Sequence, residues 1–325
     1  MNAAAPCKTF ADHVEAYLAH WRALGRRYRQ EEWLLRTLLR ELPDLGHDDL
    51  NAQAFALWFE NRKDRHPNTR RKWAQLLHHF CVFRQRSEPG CFVPGPELVC
   101  RRQPYVMPVI ISPAQIARMI EIAGRLEPSP NSPLRAAAMR LAVVLLYTTG
   151  MRLGELRRLA LQDVEDGGAV LRIRESKFHK TRLLPLSAST QLEVRQFIQR
   201  RAEAGFDLRP AAALLSRHTR RGSIGYSIPG LQGGINALFA AAEVTDATGR
   251  RPRVHDMRHS FALQVLARWY RQDADVQVQL PKLAMYMGHV SIESTAHYLR
   301  LSPEVAALAS DRFGRHFAAV IGAQS

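Results

Sequence analysis

Apolar side chains in residues 8–86 recur at every third or fourth position, a spacing typical of helices that bury one face. The spacing predicts four helices. The first contains Phe10, Val14, Tyr17, Leu18 and Trp21. The second is predicted over Glu32–Leu42. The third begins at a cap at Asp48 or Asp49 and runs through Phe59, and the fourth is predicted over Thr69–Arg84. The pattern therefore predicts a separate all-α domain over residues 1–86.

A stretch rich in helix breakers follows this predicted domain. Its prolines and glycines are Pro89, Gly90, Pro94, Gly95, Pro96, Pro104 and Pro108. Such residues favour turns and extended backbone, so residues 87–111 are predicted to be a linker. Ser112-Pro113-Ala114-Gln115 then combines a capping box with a proline at the first helical position, which predicts that a second domain, over residues 112–325, opens with a helix.

The second domain mixes helical and strand patterns. The nearly all-apolar Arg135–Tyr147 predicts a buried helix that ends at Thr148-Thr149-Gly150. Ala169–Arg174 and Thr181–Leu186 resemble two strands joined by a turn over Glu175–Lys180. Residues 203–234 are predicted to be irregular. Further helices are predicted over Leu153–Leu161, Gln191–Arg201, Ile235–Ala242, Asp256–Tyr270, Pro281–Met287, Ile292–Leu299 and Pro303–Phe317. The expected fold class of this domain is mainly α with a small β-sheet (α+β).

The net charge of the chain indicates a class of binding partner. The 325 residues include 46 Lys and Arg but only 30 Asp and Glu, a net charge of +16. Residues 1–105 contain 17 basic and 12 acidic groups, so both predicted domains are basic. An excess of this size favours a polyanionic partner, although a merely basic protein remains the alternative. No apolar run approaches the ~20 residues of a membrane span, and no signal pattern opens the chain, so we expect a cytoplasmic protein without membrane contact.

The four cysteines do not indicate a metal site. Cys7, Cys81, Cys91 and Cys100 contain no close pair of the kind that binds zinc, so reduced thiols are expected. No Gly-rich phosphate loop is present either. We therefore expect neither a metal nor a nucleotide cofactor.

Candidate chemistry begins with an arginine after a glycine turn. Arg152 follows Gly150 at a predicted helix start, and Glu155 lies three residues later on the same face, where it can orient the guanidinium. An ordinary surface ion pair would give the same pattern. Lys177 lies at the predicted hairpin tip, where it could reach a site formed elsewhere, and Lys180 is its rival for that role. Most loop lysines are merely solvated.

A second basic segment precedes another predicted helix. His255 and Arg258 are three residues apart and share one helix face, an arrangement suited to a phosphate. A contact to the DNA backbone without catalysis would also explain it. The candidate DNA-binding residues are Arg70, Arg71 and Lys72 in the first domain, and Lys180, Arg250, Arg251 and Arg253 in the second. His289 and Tyr298, nine residues apart, could each be an ordinary core residue.

The order of these residues resembles the tyrosine recombinase family, which includes phage-type integrases and Xer-like enzymes. The resemblance rests on the segments TTGMRLGEL, KFHKTRLLPL, HDMRH and MGH, with a tyrosine nine residues after the last histidine. It covers residues 112–310 well and residues 8–86 more loosely, as a helical core-binding domain. The family-like residues are Arg152, Lys177, His255, Arg258, His289 and Tyr298. The lysine tip lacks the glycines that often flank it, and the extra length between Arg258 and His289 suggests a transposon- or plasmid-borne subgroup.

The resemblance implies a site-specific recombinase that cuts and rejoins double-stranded DNA through a 3′-phosphotyrosyl bond, without metal or ATP. Arg152 and Arg258 would clamp the phosphate, His289 would add a hydrogen bond, and Tyr298 would attack. His255 would be the base and Lys177 the general acid, while Glu155 would support Arg152. It further implies a homotetramer on DNA in which related recombinases can take part. The last helix, Pro303–Phe317, would dock on a neighbouring protomer or pack in cis.

Three other functions compete with this interpretation. A relaxing enzyme similar to type IB topoisomerases would use related chemistry without paired sites. A catalytically silent DNA-binding protein could occupy recombination sites. A metalloenzyme could use His255, His259 and His289, although their spacing matches no standard site and would leave the arginines unexplained.

Overall fold

The structure is a computed structural model that describes residues 8–98, 101, 103–104, 106–174, 181–220, 222–289 and 303–321. The chain divides into two compact units between Val106 and Met107. This boundary falls within the stretch predicted as a linker.

The regular structure in the described part of the first unit is all helical. Its helices are α1 (Phe10–Ala23), α2 (Arg29–Glu41), α3 (Ala52–Glu60) and α4 (Pro67–Arg84), with short 3₁₀ helices at Pro43–Leu45 and Pro96–Leu98. Their inward faces form one core that includes Val14, Leu35, Trp58 and Phe80. The four predicted helices are therefore confirmed. The predicted cap of α3 is wrong, because Asn51 rather than Asp48 or Asp49 accepts the hydrogen bond from the N–H of Ala54.

The two ends of the predicted linker pack on different units. Phe92 and Val93 pack on the core of the first unit, and the carbonyl of Pro94 is 2.8 Å from a ring nitrogen of His78. Val109 and Ile111 are buried in the second unit. The backbone N–H of Ile111 donates to Ser260 Oγ at 2.9 Å.

The second unit contains eight α-helices, two short 3₁₀ helices (Leu161–Asp163 and Asp166–Gly168) and five strands among its described residues. The helices are α5 (Pro113–Gly124), α6 (Arg135–Thr149), α7 (Leu153–Arg158), α8 (Ala188–Glu203), α9 (Ile228–Ala241), α10 (Asp256–Arg271), α11 (Val276–Met287) and α12 (Pro303–Ile321). The strands are β1 (Val164–Glu165), β2 (Val170–Ile173), β3 (Arg182–Pro185), β4 (Ser216–Thr219) and β5 (Gly222–Gly225). The α+β prediction is confirmed.

Two small antiparallel sheets lie in this unit. The first has the order β1-β2-β3, and Leu171 of β2 is opposite Leu184 of β3. The second pairs β4 with β5. The prediction of irregular structure over residues 203–234 is wrong for β4, β5 and the start of α9. Gly, Ser and Arg dominate those strands, so they lack the apolar alternation by which strands are recognised.

The central helix of the second unit is α6, which is buried along most of its length. Its side chains join those of α5, α8, α9 and the first sheet in one core. Helix α11 begins five residues before its predicted start, because Asp275 caps it and Pro281 lies inside it rather than at its first turn. Helix α7 ends at Arg158, before the predicted Leu161.

The last helix packs on its own chain. Val305 is buried in a smaller apolar cluster with side chains of α10 and α11, and Leu308 packs against that cluster. Arg315 donates to both carboxylate oxygens of Asp273, at 3.0 and 3.2 Å. The described residues thus place α12 in cis. Within the same residues, no helix has both the length and the apolar character that crossing a membrane requires.

Candidate active site

The first element of the site is the turn between α6 and α7. Gly150 ends α6 with φ +61°, a left-handed conformation that favours glycine. A Cβ at this position would lie 2.4 Å from the Phe261 ring, so the turn also requires a residue without a side chain. Arg152 follows as the N-cap residue directly before α7, and its side chain is about one quarter exposed. The sequence thus directs this guanidinium outward from a rigid turn.

Glu155 holds Arg152 at both ends. Its carboxylate accepts the backbone N–H and the Nη1 of Arg152, each at 2.9 Å. The carboxylate is itself almost fully buried and also binds Arg182, whose Nη2 lies 2.8 Å away. Burial alone would raise the pKa of Glu155, but hydrogen bonds and charge from Arg182, followed by those from Arg152, outweigh it and hold the pKa at about 2. Glu155 is therefore an ionised anchor at any physiological pH.

Arg258 enters the site from the first turn of α10 and is buried. Its Nη1 donates to the carbonyl of Gly150 at 2.6 Å, and its Nη2 donates to the carbonyl of Met287 at 2.8 Å. A buried guanidinium costs free energy unless its donors are satisfied. The two carbonyls satisfy part of its donors. They also fix the plane of the guanidinium between the turn at Gly150 and the end of α11.

Three arginines converge on the C-terminus of α11. The carbonyls of Tyr286, Met287 and Gly288 are consecutive, and they accept from three different side chains. Their donors are Arg182 Nε at 2.8 Å, Arg258 Nη2 at 2.8 Å and Arg152 Nη2 at 3.1 Å, respectively. A helix leaves its last carbonyls without partners in the helix, and its dipole favours cations there. The end of α11 therefore positions the guanidiniums next to His289.

Both histidines of the site have lowered pKa values. Burial, followed by the charges of Arg258 and Arg152, lowers the pKa of His289 to about 3. The same causes in the same order lower the pKa of His255, although this residue as a whole is classed as exposed. Both imidazoles are therefore neutral near pH 7. A neutral imidazole can donate one N–H and accept one proton.

The structure brings four of the six family-like residues together. Arg152, His255, Arg258 and His289 lie around the Gly150 turn and the end of α11, and Glu155 binds Arg152. Lys177, Lys180 and Tyr298 lie outside the described residues. Their roles stay predictions.

Sequence reasoning missed Arg182. The residue lies on β3 with Leu184 two positions later on the same, inward face, and only about a tenth of its side chain is exposed. A charged residue on the core face of a strand needs a buried partner. The alternation of β3 is therefore the signal that could have identified Arg182.

The candidate DNA-binding arginines differ in their surroundings. Arg70 is half-buried, and its Nη2 donates to the carbonyl of Phe59 at 3.3 Å, so part of its role is structural. Arg250 pairs with Asp246 at 3.1 Å, and Arg253 pairs with Asp256 at 2.9 Å. Lys72 and Arg251 are exposed; Arg251 lines a cavity of about 260 Å³ beside α9 with the amides Gln232 and Asn236. Arg71 is half-buried.

A protein metal site needs several ligating side chains around one point. The described residues contain no group of three or more His, Cys, Asp or Glu side chains placed to bind one ion. The three histidines of the metalloenzyme alternative include His255 and His259, whose rings are 5.0 Å apart and nearly perpendicular.

Comparison with known proteins identifies the family. Residues 110–304 match the model of the phage integrase family. The chain is 31% identical over 312 residues to y4rE of Sinorhizobium fredii, a protein named as a putative integrase/recombinase, and the match covers 93% of this chain and 94% of that one. The chain belongs to the phage integrase family.

Other matches agree with that assignment. Over 199 residues, the chain is 25% identical to the tyrosine recombinase XerA of Pyrococcus furiosus. This match covers 61% of the chain and 59% of the relative. The fold is similar to that of the Tn1549 transposon integrase, solved in complex with circular intermediate DNA, with a TM-score of 0.59 at 16% identity over 93% of this chain and 99% of that one. It is also similar to that of lambda integrase, solved as a dimer bound to a core site, with a TM-score of 0.57 at 17% identity. That match covers 90% of this chain and 77% of that one. The chain is therefore a tyrosine recombinase, an enzyme of site-specific DNA recombination.

Proposed function

We propose that this recombinase cleaves one strand of double-stranded DNA with Tyr298 and keeps the strand end as a 3′-phosphotyrosyl bond. The observation that carries the proposal is the convergence of Arg152 and Arg258 on the end of α11, next to His289. A phosphodiester gains negative charge on its oxygens as it becomes pentacoordinate. Two fixed guanidiniums and one imidazole N–H are suited to stabilise that charge without reorganisation.

The protons in this reaction can be followed atom by atom. A tyrosine phenol ordinarily has a pKa near 10, so Tyr298 must lose its proton as it attacks phosphorus. Neutral His255 accepts that proton. The bond from phosphorus to the 5′ oxygen breaks, and Lys177 donates a proton to the departing oxygen. A 5′-hydroxyl of another strand reverses these steps and rejoins the DNA, so the phosphotyrosyl bond conserves the energy of the broken one.

The relatives support a proposal about the biological setting. The chain is similar over most of its length to y4rE and similar in fold to a transposon integrase. We propose that it acts for a mobile element, in integration, excision, resolution or transposition. We also propose a homotetramer on two DNA sites, with related recombinases as further partners.

Covalent trapping tests the nucleophile. We would incubate the protein with nicked fragments of DNA from the organism that encodes it, denature the mixture, and recover protein-linked DNA. The nick lets the short cleaved piece diffuse away, so the adduct accumulates. Tyr298→Phe should abolish the adduct because phenylalanine has no oxygen to attack with. Sequencing the trapped DNA would define the target site.

A control tyrosine makes this result specific. Tyr270 packs in the apolar cluster of α10 and α11, so Tyr270→Phe should form the adduct at the parent rate. An adduct that persists in Tyr298→Phe would reject the proposed nucleophile. Tight DNA binding by the parent without any adduct would instead favour a silent DNA-binding protein.

A further inference from the structure

The turn that contains His255 is closed by two hydrogen bonds between its end residues. The backbone N–H of Asp256 donates to the carbonyl of Arg253 at 2.8 Å, and the backbone N–H of Arg253 donates to Asp256 Oδ2 at 3.0 Å. His255 is the third residue of this four-residue turn and lies directly before α10. Asp256 therefore holds the turn with both its backbone and its side chain.

The side chains of the two end residues are joined as well. Arg253 Nε and Nη2 donate to Asp256 Oδ1 at 3.2 and 2.9 Å. The carboxylate of Asp256 is buried, whereas Arg253 is exposed. A buried carboxylate is stable only where hydrogen bonds and opposite charge compensate for lost water, and Arg253 supplies both.

The end of the predicted linker shares this carboxylate. The backbone N–H of Val109 donates to Asp256 Oδ2 at 3.3 Å. Two residues later, the N–H of Ile111 donates to Ser260 Oγ, which itself donates to the carbonyl of Asp256 at 2.8 Å. The linker end is thus attached to the first turns of α10 through Asp256 and Ser260.

No hydrogen bond among the described residues fixes the ring of His255. Its ring contact is with His259, one turn later on α10, whose ring lies 5.0 Å away at an interplanar angle of 86°. A ring without a hydrogen bond takes its position from its backbone and its packing. The turn that Asp256 closes therefore decides where this imidazole faces.

Charged and titratable groups from three parts of the second unit surround His255. Burial, followed by the charges of Arg258 and Arg152, lowers the pKa of His255, whereas the charge of Asp256 raises it. Removal of the Asp256 charge would therefore lower this pKa further. The full set is Arg253 before α10, Asp256, Arg258 and His259 in α10, Arg152 before α7, and His289 after α11.

We propose that Asp256 is a positioning residue for strand cleavage, which closes the turn that presents His255 and ties that turn to the end of the linker. Asp256 is buried, so it acts through the turn and through its charge and does not itself contact DNA. This proposal rests on the proposed function, in which His255 accepts the proton of Tyr298.

The variant Asp256→Asn keeps the shape of the side chain but removes its charge and one acceptor. Whichever way the amide is oriented, its NH2 group faces donors of Arg253. We would measure single-turnover adduct formation on nicked DNA, at saturating protein, from pH 5 to 8. Between pH 7 and 8 the rate should fall about 10-fold or more, because His255 is neutral there but misplaced. The acidic fall of the rate should move to lower pH, because Asp256 no longer favours the protonated imidazole.

Asp163 provides a matched control elsewhere in the second unit. It is also buried and closes a turn in the same way, since it accepts the N–H of Ala160 at 2.9 Å and donates its own N–H to the Ala160 carbonyl at 3.0 Å. It also pairs with an arginine, Arg174. Asp163→Asn should lower the melting temperature as Asp256→Asn does. Its acidic fall should stay at the parent pH, and it should lose less of the rate.

Two measurements test Asp256 without cleavage. An NMR titration of the imidazoles, with the signal of His255 identified by its loss in His255→Asn, should give a lower pKa for His255 in Asp256→Asn than in the parent or Asp163→Asn. The backbone amides of Val109 and Arg253 should exchange hydrogen faster in Asp256→Asn, because an amide oxygen is a weaker acceptor than a carboxylate.

Several results would overturn the proposal. A parent-like rate for Asp256→Asn between pH 7 and 8 would do so, and so would an acidic fall that moves equally far in Asp163→Asn. Unchanged exchange at Val109 and Arg253 would reject Asp256 as the residue that holds the turn, whatever the activity. A parent that forms no adduct, or an acidic fall that persists in His255→Asn, would instead reject the proposed function.

Discussion

At the scale of single residues, the two histidines of the site differ in how strongly their environment disfavours the proton. His289 has a pKa of about 3, whereas the pKa of His255 is lowered from 6.5 to a smaller extent. His289 therefore stays neutral through any ordinary assay. His255 is the imidazole whose protonation state can change as the medium becomes acidic.

This difference predicts the pH dependence of cleavage. Protonated His255 cannot accept the proton of Tyr298, so the rate should be level near pH 7–8 and should fall as the pH drops through the lowered pKa, below 6.5. The measurement is the single-turnover rate of adduct formation between pH 5 and 8. His255→Asn should reduce the rate by about 100-fold or more and remove the acidic fall, because a general base contributes that much.

His289→Asn is the matched control for this profile. The variant should be slower, since a donor to the phosphate is changed, but the acidic fall should remain where it was. An unchanged fall in His255→Asn would mean that another group titrates. The base would then have to be sought elsewhere.

The sequence predicted the chemistry of this site better than its support. Arg152, His255, Arg258 and His289 each stand in a short motif, so their roles could be proposed from the sequence. Of the groups that hold them, Glu155 was predicted as the partner of Arg152. The carbonyls of Tyr286, Met287 and Gly288 could not be predicted, because they belong to the backbone and have no signature in the sequence. Arg182 was within reach, since strand alternation places it on the same face as Leu184.

At the scale of elements, the C-terminus of α11 is the part on which the site depends most. A helix end has unpaired carbonyls wherever it occurs, but here three arginines from different elements supply the donors. The glycine that follows must be in the left-handed region and must also leave room for Arg182. Both demands fall on Gly288.

Gly288→Ala should therefore affect stability and cleavage together. A left-handed alanine costs about 1–2 kcal/mol of unfolding free energy, and its Cβ would displace Arg182 as well. We expect cleavage to fall about 100-fold, because Arg152 and His289 would shift with the helix end. Thermal unfolding and adduct formation measure the two effects.

Gly46 provides the control for this variant. It ends the 3₁₀ helix Pro43–Leu45 at φ +78°, and a Cβ at this position would have no other atom within 4 Å. Gly46→Ala should lose a similar stability and keep the parent rate of cleavage. Equal losses of activity in the two variants would show that backbone strain, and not the contact with Arg182, decides the result.

Helices with strong periodicity were predicted well, and elements without it were not. Helices α1, α2 and α4 follow from their apolar spacing, and so do strands β2 and β3. The hairpin of β4 and β5 was missed because backbone pairing, rather than an apolar face, defines it. The early start of α11 was missed because a proline is common in the first turn of a helix and rare in its interior, where Pro281 lies.

At the scale of the whole molecule, two separate apolar cores define two units. The core of the first unit is built from helices between Phe10 and Cys81, and the main core of the second extends from Ile111 to Met257. Each unit is large enough to bury its own core, since domains of about 100 residues and more fold alone. The boundary between them lies after Val106.

Two fragments test this division and the role of charge together. Residues 8–106 and 107–325 should each unfold cooperatively when expressed alone, which thermal unfolding by circular dichroism would show.

The second fragment contains all six family-like residues and should still form the adduct with nicked DNA. It lacks the surplus of five positive charges in residues 1–105, which contain 17 basic and 12 acidic residues. It should therefore bind DNA more weakly. For every phosphate that the first unit neutralises in the full chain, the slope of log affinity against log salt should be smaller by about 0.9 in the fragment. A second fragment that binds with the salt dependence of the full chain would show that the first unit contributes no phosphate contacts, and its basic surplus would then need another explanation.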